Sequence, residues 1–305
     1  MEETTTPPAA AAACEIARLP EELLSAAISR TAPRDACRAA AVSPAFRAAA
    51  DSDAVWACFL PRHLPPLADG ELGLDGPARP PLPKKALFMR LSAAPHLLAD
   101  RLMSMWLDRE TGAKCFMLSA RALHIVWGDT PRYWSWIPLT NSRFSEGAEL
   151  LDVCWLEIRG KIHSKMLSQN STYAAYMVFK IDDETYGLDS PDQEASVSIG
   201  ERRTTLQVCL HGFEHVEEEV PQNYRSLRMP VMRGRFRRRN RRVPTPGSNV
   251  RIPRKRTDNW MEVELGELYN EEGDDGEISI SLMETKGGHW KKGLIVQGIE
   301  IRPKK

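Results

Sequence analysis

The stretch GEISISLM, Gly276 to Met283, places Ile278, Ile280 and Leu282 at every second position, with Ser279 and Ser281 between them. A two-residue period sends apolar side chains to one face of a strand and polar ones to the other. The same grammar recurs upstream. Met261, Val263 and Leu265 alternate with Glu262 and Glu264, Met177, Phe179 and Ile181 with Val178 and Lys180, and Leu123, Ile125 and Trp127 with His124 and Val126. Turn signals separate these runs, and no strand–helix alternation supports a parallel sheet. From about Cys115 onward the chain predicts an antiparallel β-sandwich or jelly roll.

The front of the chain reads differently. Residues 1–13 form a Thr/Pro/Ala-rich tail of disordered composition. Residues 14–60 follow a helical pattern with three recognisable starts. Pro20 leads ARLPEELLSAAIS, with Glu21 and Glu22 suited to a helix N-terminus, Pro33 leads TAPRDACRAAAV, and Ser43 caps SPAFRAAA with Pro44 behind it. Three such short helices enclose little, and Leu19, Ile28, Val42, Phe46 and Trp56 exceed what so small a core can cover. Residues 61–84 are crowded with prolines and read as a semi-rigid linker, with a helical stretch following around Lys84 to Leu91 and the body running from 85 to 305. The fold class is therefore α+β and multidomain, helices first and sandwich second.

Composition narrows the function. The 305 residues carry 41 basic and 41 acidic side chains, so no global field recruits nucleic acid or membrane. No apolar run has the length of a membrane span, and the N-terminus lacks the basic start of a signal peptide. Cys14, Cys37, Cys58, Cys115, Cys154 and Cys209 are scattered without a CxxC pair, which suits reduced thiols and a cytoplasmic or nuclear location. His211 and His215 lie four apart in HGFEHVEEE without HExxH or a third ligand, so neither a metal site nor a cofactor is expected. Asp274 and Asp275 read as a solvated acidic turn, and no nucleophile or phosphate-loop motif occurs.

Several segments resemble known families. The run IARLPEELLSAAISRTAPRDACRAAAVSPAFRAAADSDAVWACFLP is similar to an F-box, above all in its LP opening, VSPAFR and closing VW. KCFMLSARALHIVWGDTPRYWSW, VCWLEIRGKI, YAAYMVFKI, DNWMEVELGELYN and GEISISLMETKGGHWKKGLIVQGIEIRP resemble the phloem protein 2 family of plant lectins, which includes tobacco-agglutinin-type lectins. The resemblance implies a non-catalytic adaptor of the phloem protein 2-B type. Its F-box would dock a Skp-type protein, and through it a cullin–RING ubiquitin ligase, using Leu19, Pro20, Ile28, Val42, Ser43, Phe46 and Trp56. Its body would select a client, through an N-glycan or N-acetylglucosamine oligomer. The alternatives are a stress or defence lectin that assembles no ligase, and a nucleic-acid-binding protein.

Candidate sites follow from the same residues. HIVWGDTPRYWSWIP, His124 to Pro138, concentrates Trp127, Tyr133, Trp134 and Trp136 beside turn formers. Lectins stack the C–H face of a pyranose on such rings and offer acids to its hydroxyls. The resemblance assigns Trp127 and Trp134 to a sugar site, and Asp129 and Trp136 lie close in sequence. By alternation, however, Trp127 shares the face of Leu123 and Ile125 and reads equally as core. Trp260, with Glu262 and Glu267, is a second candidate. RGRFRRRNRR, Arg233 to Arg242, lies in an arginine-rich loop spanning 225–256 that ends near PRKR, Pro253 to Arg256. It resembles a nuclear-import signal at Arg237, Arg238, Arg239, Arg241 and Arg242, while its single ring, Phe236, supports base stacking poorly.

Overall fold

The computed structural model describes residues 19–72, 82–211 and 250–304. They form two compact units. The first takes residues up to His96 together with Trp106–Lys114, and the second takes Leu97–Met105 and everything from Cys115 onward.

The first unit is built on helices α1 (Glu21–Ile28), α2 (Pro33–Ala39), α3 (Pro44–Asp51), α4 (Asp53–Phe59) and α5 (Lys84–Ala93). The helix starts obey the local chemistry. Glu21 and Glu22 occupy the first turn of α1, Pro33 and Pro44 lead α2 and α3, and the Ser43 hydroxyl accepts from the Phe46 amide at 3.3 Å. Three starts were expected; α4 is a fourth helix. It carries Trp56 into the centre of the unit, fully buried, where its indole N–H donates to the Ala50 carbonyl at 2.7 Å and its ring meets Phe59 and Phe88 at 5.5 and 5.1 Å. Because Phe88 lies on α5, the helix that composition placed at the head of the body packs here, and Lys85 pairs with Asp51 to hold it.

Fifteen strands follow: β1 (His96–Leu97), β2 (Met103–Leu107), β3 (Lys114–Ser119), β4 (His124–Ile125), β5 (Trp134–Pro138), β6 (Glu146–Leu150), β7 (Leu156–His163), β8 (Ser171–Tyr186), β9 (Gln193–Ile199), β10 (Arg202–Val208), β11 (Val250–Arg251), β12 (Arg254–Lys255), β13 (Met261–Asn270), β14 (Glu277–Glu284) and β15 (Lys292–Pro303). One sheet runs β1-β2-β3-β15-β8-β13-β12, with β6 also on β15 and β5 on β6; the other runs β11-β10-β9-β14-β7-β4. The pairings of β15 with β3, β6 and β8, of β13 with β8, and of β10, β9, β14 and β7 in that order are antiparallel, and β10 meets β11 in a two-residue parallel contact.

The second unit is thus a sandwich, and its core lies between the sheets. On β14, Ile278, Ile280 and Leu282 are buried with Ser279 and Ser281 less so, as the alternation predicts. Gly160 of β7 shows how closely the layers meet: a Cβ there would stand 3.1 Å from Ile299 and Leu118 of the opposite sheet. Central β8 departs from alternation, because Tyr173 to Phe179 are buried without interruption. Successive buried residues point to opposite faces, so this part of β8 is covered on both, and a strand so placed carries apolar residues throughout.

Candidate functional site

The aromatic stretch is a turn flanked by two short strands. β4 stops at Ile125, and Trp127 adopts a left-handed backbone with φ 59°. That conformation is unfavourable for a large side chain, and its presence in a structure points toward a functional constraint. The turn is closed by the Thr130 amide donating to the Trp127 carbonyl at 2.9 Å, and the Tyr133 and Trp134 amides then donate back to the Thr130 carbonyl. The reversal lifts Trp127 out of the β4 plane. Its side chain is 43% exposed, so the core assignment from alternation is corrected: a strand of two residues does not extend its period to a third side chain beyond the turn.

The other rings of the stretch separate by environment. Trp134 begins β5 opposite Leu150 of β6 and is 2% exposed, which places it in the core rather than on a sugar platform. Trp136 is half-buried. Its indole N–H donates to the Gly128 carbonyl at 3.0 Å, and the Arg121 guanidinium covers one face at 3.6 Å while its Nε donates to Glu146. Tyr133 was not among the expected site residues, yet its ring lies 5.2 Å from that of Trp127. Asp129 is exposed at the tip of the turn. The loop therefore offers Trp127 and Tyr133 as a joined aromatic surface beside one open carboxylate, and Trp136 as a brace.

The second candidate set is arranged differently. A register shift between Glu264 and Gly266 puts Glu262, Glu264 and Glu267 on the face of Val178, Tyr176 and Ala174, their partners on β8. Glu262 is buried and receives Arg254, Arg256 and Arg302, each with a closest approach of 2.6 Å, while Glu300 receives Arg256 and Arg302. Burial pushes the Glu262 carboxyl up, but the hydrogen bond and charge of Arg302, reinforced by Arg254 and Arg256, hold it well down at about 2. Glu267 is paired with Lys304, and Lys180 lies over the Trp260 ring at 4.4 Å. Assigning a sugar hydroxyl to Glu262 is thereby corrected: its oxygens are already taken by guanidinium groups. Of the arginine-rich loop, residues 250–256 are described; Arg254 and Arg256 are engaged in that lattice, and Arg251 pairs with Glu264 at 3.7 Å. Arg237 to Arg242 and His215 lie outside the described residues.

In the helical unit, Leu19, Leu23 and Val42 are 43, 56 and 67% exposed, Pro20 is exposed, and Ser43 and Phe46 are half-buried. Ile28 and Trp56 are buried, so as docking side chains they are corrected to core. Ile28 falls on the inward face of α1 with Leu24, whereas Leu23, one position earlier and about 100° around the helix, was overlooked because it stands off the Leu24/Ile28 stripe.

Comparison with known proteins gives these geometries a family. A phloem protein 2 family model matches residues 113–303, and an F-box-like model matches residues 16–62. The chain is similar to F-box protein PP2-B1 of Arabidopsis thaliana, 40% identical over 307 residues that cover 94% of this chain and 89% of the relative. It is 42% identical to F-box protein PP2-B10 of the same plant over 289 residues, 94% of this chain and 93% of that one. F-box protein PP2-B15, also from Arabidopsis thaliana, is 37% identical over 294 residues, covering 94 and 96%. The chain belongs to the phloem protein 2 family, with an F-box ahead of the family's β domain.

Proposed function

We propose that this protein is a non-catalytic receptor subunit of a cullin–RING ubiquitin ligase, joining a Skp-type adaptor to a glycan-bearing client. The observation that carries the reading is the large exposure of Leu19, Leu23 and Val42 on a unit that buries Leu24, Ile28, Val55, Trp56, Phe59, Phe88 and Leu91. Large apolar side chains left this exposed on one small helical unit suit coverage by a partner. Phe46, half-buried beneath its Ser43-capped turn, supplies a ring at the same module. The client end is the Trp127/Tyr133 surface with Asp129, whose flat rings and free carboxylate match the apolar face and hydroxyls of a pyranose. Such an assembly acts in the cytoplasm or nucleus.

The test has two halves. Purified full-length chain is mixed with a Skp-type adaptor and the mixture resolved by size exclusion; co-elution that Leu23→Asp with Val42→Asp abolishes supports the ligase half. A glycan array probed with the full chain and with Trp127→Ala addresses the other. Glycan binding without adaptor capture would leave the lectin alternative in place of the ligase reading.

A further inference from the structure

The Val126 amide donates to the Glu157 carbonyl near the start of β7, so the Trp127 turn stands at that end of the second sheet. The far end of β7, His163, pairs with Glu277 of β14, Ile278 pairs with Ile199 of β9, and Ile199 pairs with Arg202 of β10. The junction of β9 and β10 therefore lies at the opposite end of the sheet. Here β13 comes close: Gly266, at φ 148° beside its register shift, would place a Cβ 2.9 Å from Val197. Next to that contact a cleft of about 470 Å³ opens between β10 and the second half of β13.

Side chains crossing from one sheet to the other fix its walls. The Thr204 hydroxyl donates to the Glu267 carbonyl at 2.9 Å, and the Arg202 guanidinium donates to the Tyr269 carbonyl at 3.2 Å. Those carbonyls need partners, because β12 pairs only with Met261 and Glu262. Arg202 is also held by Asp274 at 2.6 Å and Glu271 at 3.4 Å, and Glu267 is paired with Lys304. Val197, Ile199 and Leu268, all buried, supply the apolar part of the lining. Two lining side chains stay open. Tyr269 is 44% exposed. Arg203 is 54% exposed, and its one anionic neighbour among the described residues is Glu194 at 3.7 Å, beyond hydrogen-bond reach. Two arginines stand at one cleft, and only Arg202 has its donors engaged.

We propose that this cleft binds a small amphipathic carboxylic acid, its apolar ring lying against Tyr269 and the buried aliphatic side chains and its carboxylate pairing with Arg203. The volume falls within the range of small-molecule sites, and an apolar lining with a few convergent polar groups is their usual make-up. A guanidinium offers a carboxylate two parallel N–H donors, and a phenol ring offers a flat face to an apolar ring. An uncharged ligand would leave Arg203 as it stands, so the charge is assigned to the ligand. The inference is independent of the glycan proposal, since the cleft and the Trp127 turn occupy opposite ends of the sheet.

The experiment titrates the full-length chain, by calorimetry, with 2-naphthoate and with its uncharged amide, 2-naphthamide. The unaltered protein is set beside Arg203→Gln, Tyr269→Ala and Trp127→Ala. Saturable binding of naphthoate is expected, tighter than that of the amide. Arg203→Gln should weaken naphthoate roughly tenfold and bring it level with the amide. Tyr269→Ala should weaken both roughly two- to tenfold, and Trp127→Ala should change neither. Arg203 and Tyr269 are exposed, so the variants should keep the parent's thermal midpoint, which separates lost binding from lost fold. No binding of naphthoate by folded protein overturns the site. Binding that survives both Arg203→Gln and Tyr269→Ala overturns it as well, because the acid then sits elsewhere. Equal affinity of the unaltered protein for naphthoate and the amide overturns the role given to Arg203.

Discussion

The turn at Trp127 and the carboxylate face of β13 both carry residue types that suit sugars, and they differ in what their neighbours leave open. On β13, Glu262 is surrounded by Arg254, Arg256 and Arg302, and the whole set is saturated. At the turn, Trp127 is forced outward by its left-handed backbone and Asp129 stands exposed beside it. The lesson is that residue type nominates a site and pairing decides it. A buried carboxylate with three guanidinium partners is a structural element, whereas an exposed ring held in an unfavourable conformation is left open to a partner and is the position the proposed function uses.

Substitutions can break this contrast. The largest effect is expected from Trp134→Ala, which empties a buried site between β5 and β6 and should cost about 3–5 kcal/mol in denaturant unfolding. A loss below about 1 kcal/mol would return Trp134 to the exposed platform. Glu262→Gln comes next. The Glu262 carboxyl is depressed from 4.5 to about 2, which corresponds to about 3 kcal/mol of stability. Because its folded value lies below the unfolded one, that contribution is present above pH 4.5 and lost as pH falls toward 2. Melting curves across that window should show the acid loss in the unaltered protein and a flatter profile in Glu262→Gln. A variant as acid-sensitive as its parent would remove Glu262 from the account.

Arg121→Ala should be milder, about 1 kcal/mol for the lost cation–π contact over Trp136. It also bares a face of Trp136, so a rise in glycan affinity would make this brace a regulator of the platform, and an unchanged affinity would keep it structural. The smallest effect on stability is expected at the position that the proposed function puts first. Trp127→Gly relieves the positive φ, offset by the greater freedom of glycine in the unfolded chain. It should be no less stable than its parent, gaining up to about 1 kcal/mol, while the glycan binding proposed for this turn should be lost.

Legibility in the sequence followed the range of the interaction. Helix starts at Pro33, Ser43 and Pro44 were readable because the serine hydroxyl accepts from an amide of its own first turn and the proline rings fix φ there. The alternation of Ile278, Ile280 and Leu282 was readable because β14 is long enough to express its period. The same rule misplaced Trp127, where the strand is two residues long and the next peptide turns away. Tyr133 was visible in the quoted stretch as a ring but not as the neighbour of Trp127, a proximity created by the hydrogen bonds around Thr130. Trp56 was assigned to the core by how five helices pack, α5 supplying Phe88 against its ring, which no single helix discloses.

The sequence by itself determined the order of the two architectures, the helix starts, the sandwich pattern and the family, all of which reside in local chemistry or in motifs spread along the chain. The tertiary structure alone decided which rings face solvent, which carboxylates are paired, and that Tyr133 lies against Trp127. Those outcomes depend on contacts between residues as far apart as Cys154 and Lys291, where a buried ammonium bridges segments 137 positions apart. Burial and pairing at that range are properties of the folded chain, because each group's exposure is set by what other segments bring against it.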